Sequence, residues 1–351
     1  PEAQGQLAQL AQRVAGLPLD SLSLEPDPKA ALQPAADGWL HGVPVLVRYQ
    51  LSGVPADNTF TGELRGDFAP AAGGWRVAAL RAGTGAPFWA LGPVEVHRSD
   101  HFLLLTRPQT ERATRRLLAE TETAYARLAA AGWPLEACYV GHVTATTAEF
   151  EQLAGRDEHT AGVVAWRYDV IDEQVTIYSR AFYLNGAALD RPGAAEERQT
   201  TIIHELVHLV LADDTRPLTP AWLTEGLAVE ASGETTPEAL SALVAHGLER
   251  VDLVALTRAE RLGLPRSGLT TDRRQGRYEY DYSGAVVAWL EATYGIDALF
   301  GLLHAYREWP PGVAEPSADE RQEVTAQLLA SRLGLSLEQL DAAVKATLRG
   351  G

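Results

Sequence analysis

The run TIIHELVHLVL, residues 201–211, constrains this chain more than any other stretch. Ile202, Ile203, Leu206, Val207, Leu209 and Val210 cover most of a helix surface with apolar side chains, so the segment belongs inside a fold. Three polar residues interrupt it: His204, Glu205 and His208. On an α-helix, residues four apart differ by about 40° in direction and about 6 Å in height. His204 and His208 therefore leave one face, close enough to share an ion, and neutral imidazole is a common zinc ligand. Glu205, one step round the helix, reaches a water on such an ion but not the ion itself. A fold that accepts this segment must bury most of a helix and still open a cleft along one stripe of it.

A catalytic zinc needs three protein ligands and one open position. Glu225, in PAWLTEGLAVE (220–230), is the candidate for the third, with 16 residues between it and His208. A helix, the turn DDTRPLTP and a returning helix bring Glu225 back over the first helix. Two satisfied core histidines beside a surface acid are the plain alternative to a metal site. For Glu225 the plain alternative is an exposed helix acid. The HELVH spacing weighs against the first, and Trp222 and Gly226 beside Glu225 weigh against the second.

The rest of the composition excludes more than it suggests. A net charge of −16 argues against nucleic acid, whose phosphates call for clustered Lys and Arg. No apolar run approaches the roughly 18 residues of a transmembrane helix. Cys138 is the one cysteine, which leaves no disulfide framework and no cysteine metal site. The start at Pro1 and the lack of Met raise the expectation of a processed end, with any signal peptide or lipid anchor already lost.

The pattern along the chain predicts an α+β fold. Residues 3–17 have helical spacing, and 18–38 read as a linker. Strands are expected at Val43–Leu51, Thr59–Phe68, Trp75–Arg81 and Val94–Thr106. From Thr110 the pattern becomes a long amphipathic helix, a short strand and helix, then paired strands at Val163–Tyr168 and Gln174–Ser179. After Glu196 nearly everything is helical, the order of an α+β domain with segregated halves. The expected division is 1–104, a helix, linker and small α+β domain, and 105–351. The first part reads as a plain β-rich packing domain; the alternative is the nuclear-transport-factor-like fold, which it resembles in its helix-then-sheet pattern and its GGWRVAAL strand.

HELVH followed by PAWLTEGLA resembles the gluzincin zinc peptidases, most of all the bacterial peptidase-MA-like families, with aminopeptidase N and thermolysin as more distant relatives. The resemblance covers about residues 105–351 and implies a zincin-like peptidase domain. It makes His204, His208 and Glu225 the zinc ligands and Glu205 the general base. It continues at YDYSGAVVAWLEATYG (280–295), where Tyr280 falls at the position of the aminopeptidase oxyanion donor, with Tyr282 as the alternative. Asp281 and Ser283 replace the Glu and Gly of that segment. Position 229, where thermolysin-type enzymes carry an Asp that orients a ligand, is Val, leaving Asp213, Asp214 and Glu230 as candidates for that role. The amine-gripping Gly-Ala-Met-Glu-Asn segment of the aminopeptidases is absent.

The resemblance therefore implies an endopeptidase that acts on a peptide or protein substrate in an extracytoplasmic setting, secreted or membrane-anchored. In such enzymes an edge strand before the metal helix binds substrate by strand addition, and Gln174–Arg180 is the local candidate. The competing reading is a zinc-bearing scaffold that keeps the peptidase fold and no longer cuts.

Overall fold

The computed structural model describes residues 2–30, 32–83, 85–154, 162–171, 174–191, 193–260, 262, 273–308 and 316–350. The chain separates into two compact units, 1–168 with 177–198, and 169–176 with 199–351.

The first unit opens with α1 (Glu2–Ala15) and an antiparallel meander of β1 (Leu19–Pro26), β2 (Leu40–Leu51), β3 (Phe60–Ala71) and β4 (Gly74–Ala82). Alternation makes β2 a strand: Val43, Val45, Val47, Tyr49 and Leu51 all point inward and are buried. Val45 lies opposite Leu64 and Tyr49 opposite Phe60, whose rings stack at 5.3 Å. Leu10 and Val14 of α1 pack against the same core.

Leu19–Pro26 was expected to be linker and instead forms β1, paired along β2 from Leu19↔Leu51 to Pro26↔Val45. Its strand character comes from that neighbour, because an edge strand with one half-buried face leaves little alternation in the sequence.

The chain continues through α2 (Phe88–Leu91), β5 (Glu95–Arg98), β6 (Phe102–Thr106), α3 (Glu111–Ala130), β7 (Tyr139–Thr144), α4 (Thr147–Ala154), β8 (Gly162–Ile171), β9 (Gln174–Asn185) and α5 (Gly186–Leu189). These strands build a mixed sheet of order β5-β6-β7-β9-β8, with β6, β7 and β9 parallel. Every residue of β6 and β7 is buried, as expected of parallel strands covered on both faces. The expected single strand Val94–Thr106 is a hairpin of β5 and β6. In the strand order β9 lies between β7 and β8, and it pairs with β7 over Phe182–Asn185, beyond the Gln174–Arg180 segment expected for strand addition.

The expected boundary between residues 104 and 105 falls inside β6. Leu103 and Leu105 of that strand share one core with Val47, Phe60 and Trp89. A cut there would split a continuous apolar cluster, and for that reason the compact unit runs on past it.

The second unit is helical. It takes up the HELVH helix α6 (Ala195–Leu211) from Gln199 onward, then α7 (Ala221–Ser232), α8 (Pro237–Ala242), α9 (Leu253–Arg258), α10 (Arg273–Tyr294), α11 (Ile296–Glu308), α12 (Ala318–Leu333) and α13 (Leu337–Gly350). The sheet-then-helix order read from the sequence is thus present as a mixed α+β architecture. Among the described residues no single helix is long and apolar enough to cross a membrane.

Two contacts fix α7. Trp222 is fully buried and its Nε1 donates to Thr257 Oγ1 at 2.9 Å, which ties α7 to α9. Gly226 lets α7 touch α10: a Cβ there would stand 2.4 Å from the Ser283 carbonyl oxygen. Gly226→Ala is therefore expected to destabilise the protein by about 1–3 kcal/mol through overpacking. Chemical denaturation measures this, and an unchanged midpoint would show that the helices can part without cost.

Candidate metal centre

The buried face of α6 carries Ile202, Ile203, Leu206, Val207 and Leu209, each at most 3% exposed. The opposite stripe holds His204 and His208, whose side chains are 14% and 12% exposed. α7 returns Glu225 against them. The two Nε2 atoms lie 3.2 Å apart, and Glu225 Oε2 is 3.3 Å from each.

That triangle tests whether a metal fits. Nitrogen and oxygen ligands held at 2.0–2.1 Å on the corners of a tetrahedron are about 3.3 Å from one another. The three edges match this spacing, and two imidazoles with one carboxylate are a donor set that zinc takes. His204, His208 and Glu225 are thus a group that can hold a metal ion. Glu205, next along α6, is 7% exposed.

Electrostatics agree with a cation site. Burial opposes a charge on His204, yet its hydrogen bonds to Glu225 and Glu234 and the nearby charge of Glu205 carry its pKa well above the usual imidazole value. Burial opposes ionisation of Glu225 as well, but His208 and His204 hold its carboxyl far below the usual range.

The residue behind His204 is not one of those expected. His204 Nδ1 pairs with Glu234 Oε2 at 3.1 Å. Arg277 of α10 donates to Glu234 Oε1 at 2.9 Å and to its carbonyl at 3.0 Å, and meets Asp281 at 3.0 Å. Thr235 Oγ1 donates to Asp281 at 3.3 Å. Asp214 instead faces His304 Nδ1 at 3.3 Å, and Glu230 is exposed on α7.

Glu234 arrives through the end of α7. Gly233 adopts a left-handed conformation (φ 71°), and the Glu234 amide donates back to the Val229 carbonyl at 3.1 Å. The left-handed cap reverses the chain, so the next residue returns toward the helix, a turn that a glycine after a helix permits without naming what it delivers. Glu234→Ala is expected to lower zinc affinity by about 10–100-fold, the usual effect of losing a partner that orients a ligating histidine. Competition against a chromophoric chelator measures it, and unchanged affinity would remove Glu234 from the site.

The three tyrosines do not form the extended segment that their alternation suggests, because all of them lie on α10. Tyr278 packs over Gly247. Tyr282 is fully buried and its hydroxyl donates to Asp341 Oδ1 at 2.7 Å. Burial, followed by that carboxylate, pushes the Tyr282 pKa far up. Tyr282 is thereby committed to packing against α13. Tyr280 is half-buried, and helix geometry makes it a neighbour of Arg277, Ser283 and Gly284. It is not part of the ligand triangle.

No protein-family model matches the chain, and no curated protein matches it. Among solved structures, it is similar to an M1 zinc metallopeptidase from Deinococcus radiodurans, at 16% identity and a TM-score of 0.28. The match covers 94% of this chain and 61% of that one, so the chain spans about three-fifths of that protein's length.

Proposed function

We propose that this chain is a zinc-dependent peptidase that cleaves internal bonds of extended polypeptides. The observation that supports it is the donor triangle of 3.2, 3.3 and 3.3 Å with a carboxylate at the next helical position. His204, His208 and Glu225 would hold the zinc. When bound, zinc supplies Lewis acidity that eases deprotonation of water and polarises a carbonyl. Glu205 takes the proton from the attacking water and returns it to the leaving amine. The Tyr280 hydroxyl donates to the oxygen that becomes negative at the scissile carbon. Glu234 and Arg277 keep the His204 ring turned toward the ion. The setting we propose is extracytoplasmic, on the family resemblance.

The test is digestion of an unstructured polypeptide library read by mass spectrometry, with zinc-loaded and chelated protein in parallel. Internal cuts made only by the zinc-loaded protein are expected. Ladders from the N-terminus would overturn the endopeptidase assignment, and no cuts at all would overturn the enzyme.

Tyr280→Phe is expected to keep zinc and to lower kcat by about 100-fold or more, the usual result of removing one oxyanion donor. Tyr282→Phe should leave kcat unchanged while costing about 1–3 kcal/mol of stability, because Asp341 loses a buried donor. Paired kinetics and melting curves separate the two, and a kcat loss in Tyr282→Phe alone would reassign the donor.

A further inference from the structure

The first unit contains a cavity of about 570 Å³ that the metal chemistry does not use. Its wall is built from Tyr49, Phe60, Phe88, His142 and Tyr183, with Arg65 also facing it. The size lies within the range of small-molecule sites, and so does a lining of rings around a few polar groups.

His142 is the unusual member. It is 2% exposed, stacked on Tyr183 at 4.7 Å and met edge-on by Phe88 at 5.2 Å and Phe60 at 6.4 Å. Its Nδ1 is buried without a hydrogen-bond partner among the described residues. A packing role explains the ring but not the nitrogens, because a Phe would fill the same place without an orphaned polar atom. Burial, aided by the charge of Arg107, pushes the imidazole pKa down to about 3, so the ring is neutral at any working pH. An orphaned N–H is rarer than an orphaned acceptor, which puts the single proton on Nε2. His142 therefore offers one fixed donor at an aromatic wall.

Arg65 adds no net charge, since its guanidinium meets Glu63 at 2.8 Å and donates to the Gly42 carbonyl at 3.3 Å. The cavity thus combines aromatic rings with the hydroxyls of Thr61 and Ser179, the Gln152 amide, the neutral His142 imidazole and a compensated charge. We infer that it is a binding site for an uncharged, flat aromatic small molecule that carries a carbonyl or similar acceptor. Rings on the ligand pack against the wall rings in offset or edge-on geometry, and the acceptor meets His142.

The experiment uses the full chain and three probes: benzamide, benzoate and cyclohexanecarboxamide. Binding is read by calorimetry and by the imidazole nitrogen resonances of 15N-histidine-labelled protein. Benzamide is expected to bind and to move the His142 resonances, with benzoate and cyclohexanecarboxamide at least tenfold weaker. His142→Phe keeps the stacked ring and removes the donor, and should weaken benzamide by about tenfold, the worth of one hydrogen bond. Leu153→Trp, on the α4 side of the cavity, should fill the space and abolish binding while circular dichroism shows the fold retained. Three results would each overturn the proposal: benzamide binding that survives Leu153→Trp, tighter binding of benzoate, or no movement of His142 at saturating benzamide.

Discussion

Glu205→Gln is expected to bind zinc as the parent protein does and to lose hydrolysis, with kcat down by about 10²–10⁴-fold. The amide has nearly the size of the carboxylate but cannot accept the proton of the attacking water. Glu205 is not one of the three atoms of the ligand triangle, so the metal set stays intact. Its place on α6 between Leu206 and His204, both tightly packed or paired, leaves the variant little freedom to rearrange. Metal content and peptide turnover measured on the same preparation decide the matter. Retained turnover would remove the general base, and lost zinc would mean that Glu205 ligates.

Glu225→Ala is expected to reduce zinc affinity by more than the roughly 100-fold ceiling typical of residues that only orient a ligand. It removes one of three donors outright and takes away the negative charge that lies 3.3 Å from both imidazoles. The result should be protein that loses its metal on dialysis against a chelator that leaves the parent loaded. His304→Ala is the control, since that ring is exposed and paired with Asp214. Affinity unchanged in Glu225→Ala would place the third ligand elsewhere and break the link between α6 and α7.

The residues of the centre were legible in the sequence to the extent that their geometry is local. His204 and His208 are one helical turn apart, and Glu225 needs only a short turn to return. Glu234 was not legible, because it acts through a reversal at Gly233 and an arginine 43 residues further on. The tyrosines misled for a related reason. Residues two apart on a helix point in nearly opposite directions, so Tyr278 and Tyr282 serve packing while Tyr280 takes another face. In the first unit the inward alternation of β2 was readable, whereas β1 depends on its neighbour. The boundary at 104 failed because a core joins β6 to strands far earlier in the chain, and such joins leave no local mark.

The close approach at Gly226 also matters for how the chain is held together. α7 carries Glu225 on one side and rests backbone to backbone on α10 at the other, and α10 supplies the arginine that holds Glu234. An ion bound by α6 and α7 would therefore act as a staple between the two helices, and because only the folded chain assembles the three donors, its binding would favour that state. A chain with one cysteine has no disulfide of its own to do this. Zinc would then be both reagent and clasp, and its removal would lower stability as well as end the chemistry.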